Sequence, residues 1–222
     1  MKYCYPYPHP AVTTDMVIFT IRDSQLCVLL IKRRDEPFKD QWALPGGFVA
    51  EDEDIEQCAM RELREETGID KVYLEQLYTF GKPDRDPRER VITVAYYALL
   101  PSDQLAIRAA SDAVDVKWFE VSSISKLGFD HNQIVNIAQQ RLIAKLDYST
   151  IAFQLLPDLF TLTEVQRVYE IILGQAIDKR NFRKQILALD NLQKTKQQRR
   201  DGAHRPAFLY KLKKRDRIEW IR

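Results

Sequence analysis

The sequence predicts an α/β fold, a mixed sheet with flanking helices, followed by a small second domain of two helices and a hairpin. Three observations predict it. Short apolar segments separated by turn signals fill the first two-thirds of the chain, one long helical period lies among them, and after Pro157 the pattern changes to helix, turn, helix.

Taken in order, Met16 to Ile21 and Leu26 to Lys32 flank Asp23-Ser24 as the strands of a hairpin. Pro45-Gly46-Gly47 is a turn signal before a short strand at Phe48-Val49. From Asp54 to Thr67, Ile55, Ala59 and Leu63 recur every fourth position as one helix face, and Gly68 supplies the stop. Strands are expected at Val72 to Phe80, Val91 to Leu100 and Val116 to Val121, then a helix from His131 to Lys145 capped by Asp130. Thr161-Leu162-Thr163-Glu164 has the form of a capping box, and Leu162, Val165, Tyr169, Ile172 and Leu173 make an amphipathic helix ended by Gly174. A second helix follows Asp178, with Phe182, Ile186 and Leu189 inside and Lys179, Arg180, Arg183 and Lys184 outside. Strands at Ala207 to Leu212 and Arg217 to Ile221 complete a winged-helix plan, so the domains divide as 1–149 and 150–222.

The composition, 45% hydrophobic and 30% charged, is that of a globular chain and excludes a disordered one. The apolar run Leu26 to Ile31 is a buried strand rather than a membrane span, and Met1 to Pro6 lacks the apolar region of a secretory signal. A cytoplasmic protein with no membrane partner is expected. Cys4, Cys27 and Cys58 are odd in number and far apart, which excludes a full disulfide framework and any CxxC metal pair. Charge divides the chain. Residues 1–149 hold 18 Lys and Arg against 24 Asp and Glu, net −6, and residues 150–222 hold 16 against 8, net +8. An acidic half suits a cation, a basic half a polyanion such as DNA.

The chemistry concentrates between Gly47 and Ile69. Glu62, Glu65 and Glu66 stand at i, i+3 and i+4, so one helix stripe carries three carboxylates whose repulsion costs a few tenths of a kcal/mol per pair. Hard divalent cations take such oxygens, keep waters and bridge to phosphates, so the stripe predicts Mg²⁺ or Mn²⁺ bound by Glu62, Glu65 and Glu66. Arg61, four residues before Glu65, is placed to orient it, and Gly46 and Gly47 let backbone approach helix and ligand. In an enzyme, Arg61, Glu62, Glu65 and Glu66 would form the catalytic set; by residue type Glu53, Glu89, Asp112 and Asp115 are all general-base candidates.

Two further segments carry weaker signals. The Pro-punctuated run Gly81 to Arg90 offers Arg85, Arg88 and Arg90 as forked donors to phosphate, against the plainer reading of a charged hairpin loop. Trp42 reads as a core residue ahead of a base-stacking one, and His131 as a helix-start residue. In the basic half, Lys179 to Arg200 holds eight cations and one acid, Asp190. Lys179, Arg180, Asn181, Arg183 and Lys184 are the candidate groove residues, with Arg199, Arg200, Arg205 and Lys211 near the wing.

The string Gly47, five residues, Glu53, seven residues, Arg61-Glu62-Leu63-Arg64-Glu65-Glu66-Thr67-Gly68-Ile69 resembles the Nudix box at every defined position, which implies a Nudix α/β/α sandwich. Phe160 to Glu164, Asp178 to Lys184 and Arg205 to Tyr210, with Arg85-Asp86-Pro87-Arg88 and Phe129-Asp130-His131, resemble the Nudix-related transcriptional regulators of NAD metabolism over nearly the whole chain. That resemblance implies a sensor for ADP-ribose or a related nucleoside diphosphate fused to a winged helix that represses its genes, as a homodimer on a double-stranded DNA operator. The competing expectations are a Mg²⁺-dependent ADP-ribose pyrophosphatase giving AMP and ribose 5-phosphate, whose basic tail packs or dimerises, and an RNA-associated Nudix protein.

Overall fold

The computed structural model describes residues 6–7, 9–69, 72–101, 113–200, 206–214 and 218. Its contacts group the chain into two compact units, Met1–Phe19, Cys27–Ala98 and Ala106–Ala138 in one, Thr20–Leu26, Leu99–Leu105 and Gln139–Arg222 in the other.

The predicted hairpin is β1 (Ala11–Arg22) and β2 (Gln25–Arg33), longer at both ends than its apolar runs because Asp23 and Ser24 take positive φ in a two-residue turn. β3 (Trp42–Ala43) and β4 (Gly46–Phe48) follow, then helix α1 (Ile55–Thr67), β5 (Tyr73–Phe80), β6 (Val91–Leu99) and β7 (Ala113–Glu120). The sheet runs β3-β2-β1-β6-β5, with β4 antiparallel to β1 and β7 antiparallel to β2. β1 and β6 are central and almost wholly buried, which is why each carries an apolar run, Met16 to Phe19 and Val94 to Leu99. β3 is too short to leave a periodic signal.

α1 starts at Asp54, whose carboxylate accepts the Gln57 N–H while the Gln57 side chain accepts the Asp54 N–H, and stops at Gly68, left-handed at φ 73°. Its buried face is Cys58, Ala59, Leu63, Glu66 and Thr67; Ile55, expected on that face, is exposed, because the helix turns its carboxylates toward β4. Helix α2 (His131–Leu146) is where the sequence puts it. Asp130 stands directly before it, its carbonyl accepting the Ile134 N–H and its two carboxylate oxygens gripped by Arg85.

In the second unit a 3-10 segment Ile151–Leu155 precedes α3 (Leu162–Leu173) and α4 (Lys179–Ala188). α3 carries the predicted capping box and ends at Gly174, φ 67°. Val165, Val168, Tyr169 and Ile172 of α3 pack with Phe182 and Ile186 of α4, the Tyr169 and Phe182 rings edge to face at 5.0 Å. The wing is β8 (Leu192–Arg199) paired with β9 (Ala207–Leu212). This corrects the expected hairpin. The partner of Ala207–Leu212 precedes it in the chain, and the expected strand from Arg217 falls almost entirely outside the described residues. β8 is hidden in the sequence because its string Leu-Gln-Lys-Thr-Lys-Gln-Gln-Arg is polar on both faces, so Lys194, Lys196 and Arg199 lie on a strand rather than on the basic helix.

Candidate functional site

Local chemistry builds the site where β4 meets α1. Gly46 takes φ 153°, and a Cβ there would lie 2.1 Å from the Thr14 carbonyl oxygen; one on Gly47 would lie 2.0 Å from Glu62 Oε1. The fold therefore requires glycine at Gly46, whereas at Gly47 a methyl would displace only the Glu62 carboxylate. Gly46 also donates its N–H to Glu66 Oε2 at 2.8 Å, so β4 and that carboxylate are fixed together.

Arg61 gathers the carboxylates on the outer side. Its Nε and Nη2 bracket Glu53 at 3.0 and 2.7 Å, and Nη1 reaches Glu62 Oε1 at 2.8 Å and Glu65 Oε2 at 3.1 Å. The bond from Arg61, then the Ala50 N–H, holds the Glu53 carboxyl at about 2. Burial pushes Glu62 up, against the pull of Arg61. The predicted stripe thus divides. Glu62 and Glu66 face the pocket, whereas Glu65 is 56% exposed and turned to Arg61. Among the described residues no three His, Cys, Asp or Glu side chains stand ready to hold a metal ion.

A cavity of about 350 Å³ opens beside these carboxylates. Its lining joins Gly46, Gly47, Glu62 and Glu66 to Arg33, Arg34 and Arg88, with Asp35 on Arg34 and Asp86 on Arg88. Phe129, left-handed at φ 54°, sets its ring 4.9 Å from the Arg33 guanidinium carbon and 5.8 Å from that of Arg88, which also lies 5.3 Å from the Phe48 ring. Arg33 is lowered by burial and then by the like charge of Arg88. Arg88 is aimed by Asp86, which takes its Nε at 3.0 Å and its Nη2 at 2.7 Å.

The floor is a buried charge network. Arg85 Nη2 donates to Asp15 Oδ2 at 3.0 Å and to Asp130 Oδ1 at 2.7 Å, and Nε donates to Asp130 Oδ2 at 3.0 Å. His131 Nδ1 accepts the Leu44 N–H at 2.9 Å, leaving Nε2 3.4 Å from Asp15 Oδ1. Burial alone would raise the Asp15 carboxyl; His131 and Arg85 outweigh it and hold it at about 2.

The structure therefore brings Gly46, Gly47, Glu62, Glu66, Arg85 and Arg88 to one cavity, with Arg61 and Glu65 at its outer edge. Arg90 is exposed and is not part of the lining. Of the general-base candidates, Glu53, Glu89 and Asp115 do not line the cavity, and Asp112 lies outside the described residues. Trp42 packs edge to face on Phe119 at 4.7 Å. Sequence reasoning missed Asp15, Arg33, Arg34 and Phe129. An acid directly before the apolar run that begins at Met16 was the one available signal.

In the winged helix, Lys179, Arg180, Asn181 and Lys184 are exposed on α4, and Lys211 on β9. Arg183 is half-buried and donates to Thr163 Oγ1 at 3.0 Å. Arg205 lies outside the described residues.

A sheet closed by a carboxylate-bearing helix over a pocket, followed by a basic winged helix, defines a Nudix-type domain coupled in one chain to a nucleic-acid-binding plan. The family descriptions that match are the NUDIX domain over residues 10–139 and the NrtR DNA-binding winged helix domain over residues 152–212. The chain belongs to the NrtR family of NUDIX proteins. It is 41% identical over 216 residues to the ADPR responsive transcriptional repressor NtrR of Acinetobacter baylyi, across 95% of this chain and 85% of that protein. It superposes on a crystal structure of Shewanella oneidensis NrtR complexed with a 27mer DNA with TM-score 0.83 and 41% identity, covering 91% of this chain and 93% of that one. It also resembles the NUDIX domain of the Shewanella protein complexed with ADP ribose, TM-score 0.58 and 40% identity over 61% of this chain and 90% of that one.

Proposed function

We propose that this protein is an ADP-ribose-responsive transcriptional repressor of NAD metabolism, with residues 1–149 as the ligand domain and 150–222 as the operator-binding domain. The observation that carries the reading is the cavity that brings Glu62 and Glu66 together with Arg33, Arg34 and Arg88, in a chain whose other domain is a basic winged helix. A cation held by carboxylates, and guanidinium groups, are two ways a protein holds a pyrophosphate.

The residues fit a divalent cation. Glu62, Glu65 and Glu66 supply hard oxygen donors, and the cradle that Gly47 leaves open is filled by the Glu62 carboxylate. Mg²⁺ or Mn²⁺ bound there would neutralise diphosphate oxygens, with Arg61 positioning Glu65 and with Arg85, through Asp130, holding the floor. Lys179, Arg180, Asn181, Arg183, Lys184, Arg205 and Lys211 are the proposed DNA-contacting residues. A two-fold dimer in the cytoplasm would present two winged helices to a palindromic operator. Ligand relieves repression only if it binds the DNA-competent and incompetent states unequally.

The complete Nudix box with Glu53, Arg61, Glu62 and Glu65 in one network supports a second reading, hydrolysis of ADP-ribose to AMP and ribose 5-phosphate at the same site. One calorimetric series distinguishes them: full-length protein titrated with ADP-ribose, NAD and sugar nucleotides, with and without a duplex selected from a random pool, while AMP release is followed in Mg²⁺. The repressor reading expects ADP-ribose binding that weakens DNA binding reciprocally. Equal ADP-ribose affinity with and without duplex, together with AMP release lost in Glu65→Gln and Glu66→Gln, would leave the hydrolase.

A further inference from the structure

The first turn of α3 joins the two cationic elements of the winged helix. Thr161 donates its N–H and its hydroxyl to Glu164 Oε2 at 2.7 and 3.0 Å, and Glu164 returns its own N–H to Thr161 Oγ1 at 3.2 Å. The same Glu164 oxygen accepts from Arg199 Nη2 at the end of β8. One residue earlier, Thr163 Oγ1 takes Nη2 of Arg183 from α4. Beside them Phe160 and Tyr210 exchange both backbone bonds, 3.0 and 2.7 Å, so β9 is sewn to the residue before the turn.

Glu164 is out of place by charge. Among the described residues, the cleft of about 790 Å³ at this turn is lined by Arg167, Lys179, Arg183, Arg199 and Arg200, with Glu164 as the single acid. A carboxylate on a surface meant for phosphates repels them, and the cap does not need one. Gln closes the same box through its carbonyl oxygen. Nor does the ion pair secure the fold, since both partners are well exposed, 44% for Arg199 and 37% for Glu164. What the charge does is hold Arg199 in one place.

We propose that Glu164 is a positioning residue for operator recognition. It anchors Arg199, and with it strand β8, against the α3 turn, while Thr163 anchors Arg183, so that wing and α4 meet the duplex as one preset surface. Ordering these long side chains before binding removes an entropic penalty that association would otherwise carry. The inference rests on the DNA-binding reading above and adds the residue that sets its specificity.

The test uses full-length protein, the duplex recovered by selection from a random pool, and a random duplex of equal length. Glu164→Gln keeps the cap, so its melting temperature should stay with the wild type. Its affinity for the selected duplex should fall about five- to tenfold, while binding to random duplex holds or tightens. In an Arg199→Gln background the same substitution should have no further effect on specificity, because its route is gone. Parallel tightening on both duplexes would overturn the proposal and leave Glu164 a repelling charge. An undiminished loss of specificity in the Arg199→Gln background would overturn it too. If wild-type protein itself shows no preference for any selected duplex, the DNA-binding reading fails, and this inference falls with it before any variant is made.

Discussion

Arg85 grips both carboxylate oxygens of Asp130 across 45 residues of sequence, Nε on Oδ2 at 3.0 Å and Nη2 on Oδ1 at 2.7 Å. Nη2 also reaches Asp15, so one side chain, 3% exposed, ties β1 to the start of α2 beneath the cavity. Arg85 is first a structural clamp. Removing it leaves two carboxylates buried without their cation, which typically costs about 3–5 kcal/mol. Arg85→Ala should lower unfolding stability by that amount in urea titrations, and Arg85→Lys should recover only part of it, because an ammonium cannot fork. A loss below about 1 kcal/mol for Arg85→Ala would show the network to be dispensable.

The same network sets an acid dependence. Asp15 is held at about 2 against an ordinary 3.8. The unfolded chain therefore binds the proton more readily, and the stabilising contribution of Asp15, roughly 2 kcal/mol, is complete above the unfolded value and lost as pH falls through the folded one. The stability gap between wild type and Asp15→Asn should narrow by about this amount as urea titrations are moved from about pH 5 to about pH 2. A gap constant over that range would contradict it.

Gly47→Ala separates the site from the fold. The new methyl would fall 2.0 Å from Glu62 Oε1 and 2.4 Å from its Cδ, the far end of a flexible side chain, so the carboxylate moves and the helix stays. Melting should remain near wild type, with Mn²⁺-dependent ADP-ribose binding weakened roughly 10- to 100-fold in calorimetry. Gly46→Ala meets the Thr14 carbonyl oxygen at 2.1 Å, which is backbone, and should destabilise the fold instead.

Arg33 is the test of the arginines that line the cavity. Its Nε is fixed by the Pro37 carbonyl at 2.8 Å and its guanidinium faces Phe129 and the cavity. Losing one charged contact to phosphate is worth about 1.5–3 kcal/mol, so Arg33→Ala should weaken ADP-ribose roughly 10- to 100-fold in the same titration. An unchanged Kd would place the ligand elsewhere in the cavity.

Much of this was legible in the chain. α1 announced itself through its four-residue period, its Asp54 and Gly68 boundaries and its carboxylates, all local signals of a helix that must cap its own ends. α3 did so through Thr161, Glu164 and Gly174. β8 could not be read, because a strand of an exposed wing has no buried face to impose alternation. The Arg85 grip on Asp130 could not be read for a related reason: a carboxylate claimed by an arginine 45 residues away leaves no local pattern.

What the sequence alone determined is the row of glutamates, the glycines beside them, the basic second domain and the four helices, since each follows from spacing within a few residues. Only the tertiary structure decided that Glu62 and Glu66 face the cavity while Glu65 turns outward, that Asp15, Arg85 and His131 share one buried network, and that Arg33 and Arg88 meet over Phe129. The physical reason is range. Turns, caps and helix faces are settled by neighbours along the chain, whereas a charge finds its partner through packing that brings distant strands together, and no local spacing encodes that meeting.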